Sequence, residues 1–102
     1  VSYPVTLTSQ AQGDVLRERE RQFYEEGWTD EHDDAHAHGE LALAGAAYAF
    51  ADKHGLKPWF WPFDRAWWKP KSRRENLVRA AALIIAEIER IDRRAARAKG
   101  AA

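Results

Sequence analysis

Two stretches of the chain carry residue types able to do chemistry. The first is residues 25–40, which hold seven acids, three histidines and neither Lys nor Arg. On a helix, His32, His36 and Glu40 fall one turn apart on a single stripe, with Asp33 beside them. Imidazoles at i and i+4 with a carboxylate suit Zn, Ni, Mn or Fe, which makes His32, His36 and Glu40 the candidate metal ligands. One helix cannot complete a tetrahedral set, so further ligands would have to come from Glu87 or Asp92. The pattern is also not His-Glu-x-x-His. The reading preferred here has no metal and no cofactor: the acids complement the positive end of a helix, and the histidines bond locally. In an intermediate reading, His32 and Asp33 meet the polar edge of a ligand.

The second stretch runs from Trp59 to Glu75. Four of the five tryptophans fall between residues 59 and 68, and Lys69, Lys71, Arg73 and Arg74 follow directly. Trp rings serve a small domain as large packing units, each burying on the order of 150–250 Å². The basic residues lead into a helix N-terminus, where unpaired backbone N–H groups already favour anions and cations are locally disfavoured. An anion relieves that conflict, either acids of the same chain or a bound phosphate. In the second case a base would stack on Trp61, Trp67 or Trp68, with Lys69, Arg73 and Arg74 holding its phosphate.

Helices must position both stretches. The first is expected from Ser9 or Asp14 to Glu26, because Ser9-x-x-Gln12 can form a capping box and Asp14 is an equally good N-cap. Gly27 ends it. A second helix starts at the Thr29 N-cap and runs to about Lys53, where His54-Gly55 stops it, or else divides at Gly39 into two. Residues 56–71 contain three of the four prolines and read as an ordered aromatic loop. The last helix opens on the capping box Ser72-x-x-Glu75. Leu77, Val78, Ala81, Ile84, Ile85, Ile88 and Ile91 then follow at helical spacing, and a basic tail over 94–102 is expected to fray. Residues 1–8 alternate apolar and smaller residues around Pro4 and read as an extended arm. The expected fold is all-α: one small domain of three to four helices over residues 1–102.

Composition narrows the function classes. There is no cysteine, hence no disulfide framework, thiolate zinc site or thiol nucleophile, and no apolar run approaches a membrane span. The N-terminus lacks a basic region followed by a long apolar one, so no signal peptide is expected and the location implied is cytoplasmic. The net charge of zero hides a division. Residues 14–40 hold ten acids against three bases, and residues 52–102 hold thirteen bases against six acids. The acidic half would repel nucleic acid.

Several motifs carry a resemblance. Glu26-Gly27-Trp28-Thr29, Glu31-His32-Asp33-Asp34-Ala35-His36, Gly39-Glu40-Leu41-Ala42, Trp61-Pro62, Trp68-Lys69-Pro70 and Ala86-Glu87-Ile88-Glu89-Arg90 resemble the shared pattern of a family of small phage and prophage proteins. The likeness covers about residues 14–94. Arg21-x-x-x-x-Glu26-Gly27-Trp28-Thr29, with the basic stretch before a later helix, is also similar to RyR domains, the repeats of ryanodine receptors found in some bacterial and phage proteins. The Tyr-Gly that follows Gly-Trp in those domains is absent here. The similarity implies a ligand-binding module for nucleotide-like ligands and favours binding over catalysis.

The function expected is therefore a phage-type, non-enzymatic anti-defence protein. It would bind a small anionic ligand, a nucleotide or signalling nucleotide, between Trp28, His32 and Asp33 on one side and Trp61, Trp67, Trp68, Lys69, Arg73 and Arg74 on the other. The alternatives are a protein-interaction module that inhibits a host factor and a metal-dependent nucleotide hydrolase using Glu31-x-x-Asp34 and Glu89-x-x-Asp92. The Ala/Gly face of the second helix and the Ile-rich last helix leave room for a homo-oligomer.

Overall fold

The computed structural model describes residues 9–51 and 56–101, so the expected arm over 1–8 and the stop at His54-Gly55 lie outside it. Among the described residues there are four α-helices and no strand: α1 (Gln10–Tyr24), α2 (Asp30–Asp34), α3 (Glu40–Phe50) and α4 (Arg73–Ala101). A 3-10 turn, Arg65–Trp67, lies in the aromatic loop that leads into α4. The all-α expectation holds.

Local chemistry explains each boundary. Ser9, not Asp14, caps α1: its hydroxyl accepts from the Gln12 N–H at 3.1 Å while Gln12 Oε1 accepts from the Ser9 N–H at 2.8 Å. Thr29 caps α2, accepting from the His32 N–H at 3.3 Å. Gly27 and Gly39 adopt φ of 74° and 82°, a left-handed region costly for other residues, and Gly39 divides the second expected helix into α2 and α3. Ser72 accepts from the Glu75 N–H, but its hydroxyl also donates to the Glu75 carboxylate, so the box closes between side chains. The basic tail, expected to fray over 94–102, is helical as far as Ala101. Arg93 and Arg97 reach back to Asp34, and alanines of high helix propensity fill the turns between.

Helix α4 is the spine on which α1, α2 and α3 pack. The core comprises Leu41, Ala44, Ala47 and Tyr48 of α3, Trp61 of the loop, and Ala80, Leu83 and Ala86 of α4. A Cβ on Gly45 would sit 3.1 Å from the Ala80 carbonyl oxygen and 3.1 Å from Ile84, so glycine there permits the close approach of α3 and α4. The isoleucine stripe lies beside the buried side of α4 and not on it, with Ile84 bordering α3 at Gly45. The buried side of α4 consists of Asn76, Ala80, Ala82, Leu83, Ala86, Glu87 and Arg90, while Leu77, Ile84, Ile88 and Ile91 remain between 42 and 51% exposed. Small residues let the helices touch, and the polar ones find partners: Asn76 exchanges two hydrogen bonds with the Lys71 backbone, and Arg90 donates to Glu87.

The opposed charges of the two halves meet inside the fold. Asp14 pairs with Arg74 at 2.8 Å, Glu18 with Arg79 at 3.8 Å, and Asp34 with Arg93 and Arg97 at 3.0 and 3.1 Å. Arg19 of α1 bridges Asp33 of α2 and Glu89 of α4. These pairs fix the relative placement of α1, α2 and α4. No helix among the described residues is long and apolar enough to cross a membrane.

Candidate functional site

The Gly27 turn and the 3-10 turn bring the acidic–histidine segment against the aromatic loop. Between them lies an open cavity of about 340 Å³, lined by Glu26, Trp28, His32, His36, Leu41, Phe63, Asp64 and Trp67. Its walls are rings in mutual contact. Trp28 stacks parallel on His32 at 5.6 Å, His32 lies 4.7 Å from His36, and His36 meets Phe63 edge-on at 5.2 Å.

The histidine orientations are set from behind. His32 Nδ1 lies 2.9 Å from Asp33 Oδ1, and Arg19 donates to the other oxygen of the same carboxylate at 2.9 Å. Asp33 is completely buried. His36 Nδ1 lies 2.9 Å from the His32 carbonyl oxygen. Both partners are acceptors, so each Nδ1 carries the proton and a neutral ring keeps Nε2 as an acceptor. Glu26 accepts from Arg21 at 2.8 Å. That bond, helped by the positive potential of Lys69 and Arg79 and opposed by burial, holds its carboxyl below the usual carboxylate range. Asp64 caps the 3-10 turn by accepting from the Ala66 N–H at 2.8 Å. Apart from the indole N–H groups of Trp28 and Trp67, the polar side-chain groups of the lining are therefore acceptors.

A second cavity of about 30 Å³, large enough for a water molecule, adjoins the first and shares Glu26, Trp28 and Trp67 with it. Arg21, Gln22, Tyr48, Lys69 and Arg79 complete its lining. The Lys69 ammonium lies 5.4 Å from the centre of the Trp67 ring. Gln22 Oε1 is buried without a hydrogen-bond partner among the described residues.

The residues singled out from sequence divide into three groups. Trp28, His32 and Trp67 line the cavity, Lys69 stands at its edge, and Asp33 supports His32 from below. Trp61 and Trp68 instead pack on the buried Tyr48, Trp68 stacking at 4.7 Å and Trp61 edge-on at 5.5 Å. Arg73 and Arg74 turn away. Arg73 donates to the carbonyls of Ala49 and Ala51, where a cation complements the C-terminal end of α3, and Arg74 pairs with Asp14. The tryptophan cluster thus serves both packing and cavity wall.

His32, His36 and Glu40 are not brought together as ligands; Glu40 Oε1 accepts from the His38 N–H at 2.6 Å. Among the described residues, no three His, Cys, Asp or Glu side chains are grouped to hold a metal ion. Of the carboxylates weighed for a hydrolase, Asp34 is paired with arginines of α4 and Glu89 with Arg19. Glu26, Leu41, Phe63 and Asp64 were not singled out from sequence as cavity residues. The available signal was their position, since Glu26 precedes the Gly27 turn and Phe63-Asp64 precede the 3-10 turn. Comparison with protein-family models, curated proteins and solved structures returns no match to this chain.

Proposed function

We propose that the chain is a non-enzymatic binding protein of phage type that holds a planar, amino-bearing ring in the cavity, a nucleobase being the ligand class that fits. The observation that carries this reading is a ring-walled cavity whose carboxylates and imidazole Nε2 atoms accept hydrogen bonds. A volume of about 340 Å³ suits a ligand of one ring system. Trp28 and Trp67 offer faces for stacking, which contributes about 1–3 kcal/mol per base. Glu26, Asp64 and the two Nε2 atoms call for N–H donors, as on the amino edges of adenine, guanine and cytosine. A phosphate on such a ligand belongs outside the ring site, toward Lys69, rather than on Arg73 or Arg74. The likeness to RyR domains supports the same ligand class. Tryptophan fluorescence during titration with nucleosides and their monophosphates tests it. Quenching by the amino-bearing bases, weaker for uridine and lost in Trp67→Ala, is expected. No change at millimolar ligand across the panel overturns it.

A second reading, interaction with a host protein, has its own observation. Trp59 is 90% exposed and packs edge-on against Phe60, which in turn meets the exposed Phe50. Such rings on a surface resemble an interface anchor. Under this reading Trp59→Ala, and not Trp67→Ala, abolishes capture of a defined host protein by the immobilised chain. Equal capture by both variants removes it.

A further inference from the structure

We infer that the outward face of α4 pairs with the same face of a second copy of this chain, the two helices running antiparallel. Leu77, Ala81, Ile84, Ile88, Ile91 and Ala95 are spaced alternately by four and three residues, the seam of a two-stranded coiled coil, and no charged residue falls among them. The large members of this seam are half-exposed, although the same helix buries Asn76, Glu87 and Arg90. A 29-residue helix is about 43 Å long, ample for three heptads.

Residue sizes and charges select the second copy and its direction. In an antiparallel pair centred on residue 86, Leu77 faces Ala95 of the other copy, Ala81 faces Ile91 and Ile84 faces Ile88. Each small residue lies opposite a large one, and isoleucines meet at the middle, which fills the layers evenly. The centre falls near the midpoint of Arg73–Ala101, so the helices overlap along almost their full length. At the flanks Val78 lies opposite Asp92, Ala80 opposite Arg94 and Ile85 opposite itself, so none of these three carries a like-charged pair. Glu87 also approaches its own copy, but its carboxylate is bonded to Arg90 within each chain. A parallel pair is poorer on both counts. Ala81 and Ala95 would each face themselves and leave gaps, and Arg94 would lie beside Lys99 of the other copy. The inference is independent of the ligand reading, because the cavity residues and this face share no side chain.

Sedimentation of the full chain from micromolar to submillimolar concentration is the first measurement, and a concentration-dependent dimer is expected. The double variant Ile84→Lys with Ile88→Lys, its helix content checked by circular dichroism, should dissociate at least about 100-fold more readily. The chain has no cysteine, so single cysteines report direction. Ile84→Cys mixed with Ile88→Cys should form a disulfide between the two variants, whereas Ile84→Cys alone should not, its copies lying too far apart along the pair. A monomer at every concentration, or a dimer that the lysines leave intact, overturns the interface. Efficient self-linking of Ile84→Cys overturns the antiparallel arrangement.

Discussion

The Asp33 carboxylate, completely buried, is shared between His32 Nδ1 and Arg19 Nη2, each 2.9 Å away on a different oxygen. It joins a cavity wall to the α1–α2 packing. Arg19 is itself largely buried and already has one nitrogen, Nη1, without a hydrogen-bond partner among the described residues. Asp33→Ala leaves that guanidinium facing a void, which for a broken buried pair costs about 3–5 kcal/mol. Urea unfolding should show the loss, and Asp33→Asn should lose less because the amide keeps a hydrogen-bonding oxygen. A loss below about 1 kcal/mol for Asp33→Ala would show that the pair is not a structural tie.

The basic residues of the loop should separate into two roles. Lys69→Ala should weaken binding of nucleoside monophosphates and leave the parent nucleosides unaffected, by calorimetric titration. Arg73→Ala should leave both affinities unchanged and lower stability by about 1 kcal/mol, through loss of the cation at the end of α3. The opposite pattern would move the phosphate onto the helix N-terminus.

Acid stability follows from the paired carboxylates. Hydrogen bonds from Arg93 lower Asp34, those from Arg17 and Arg74 lower Asp14, and the one from Arg21 lowers Glu26, in each case against burial. A carboxyl with a depressed folded-state pKa contributes stability that is fully present above its ordinary value, about 4. That contribution fades as the pH falls from there through the depressed value. The melting temperature should therefore hold between pH 7 and about 5 and decline below about 4. Asp34→Asn should flatten the decline. An identical decline in the variant would remove Asp34 from the account.

Sequence carried the helices and part of the cavity, for identifiable reasons. Caps are local, so Thr29 and the Ser9–Gln12 pair were legible, and the positive φ at Gly39 settles a choice that composition left open. Periodicity marked α4 as a helix but not its buried side. Helix α3 presents Ala44, Gly45 and Ala47, and against so smooth a surface the alanine face of α4 approaches more closely than isoleucines could. Trp28, His32 and Trp67 were legible because their side chains are chemically unusual. Arg73 and Arg74 find partners 22 and 60 residues away in sequence, at Ala51 and Asp14, which no motif encodes.

Helix α2 has five residues, too few to persist alone; Asp30 and Asp34 pair it directly with Arg93 and Arg97 of α4, and Asp33 ties it to Arg19 of α1. Yet this turn carries His32, a wall of the cavity. The wall should therefore open in native-state hydrogen exchange ahead of the α3–α4 core. Added salt, by screening the pairs with α4, should speed exchange in α2 selectively. A ligand that stacks on Trp28 and touches His32 would close it, so that occupancy is written into the exchange rate of a single short turn.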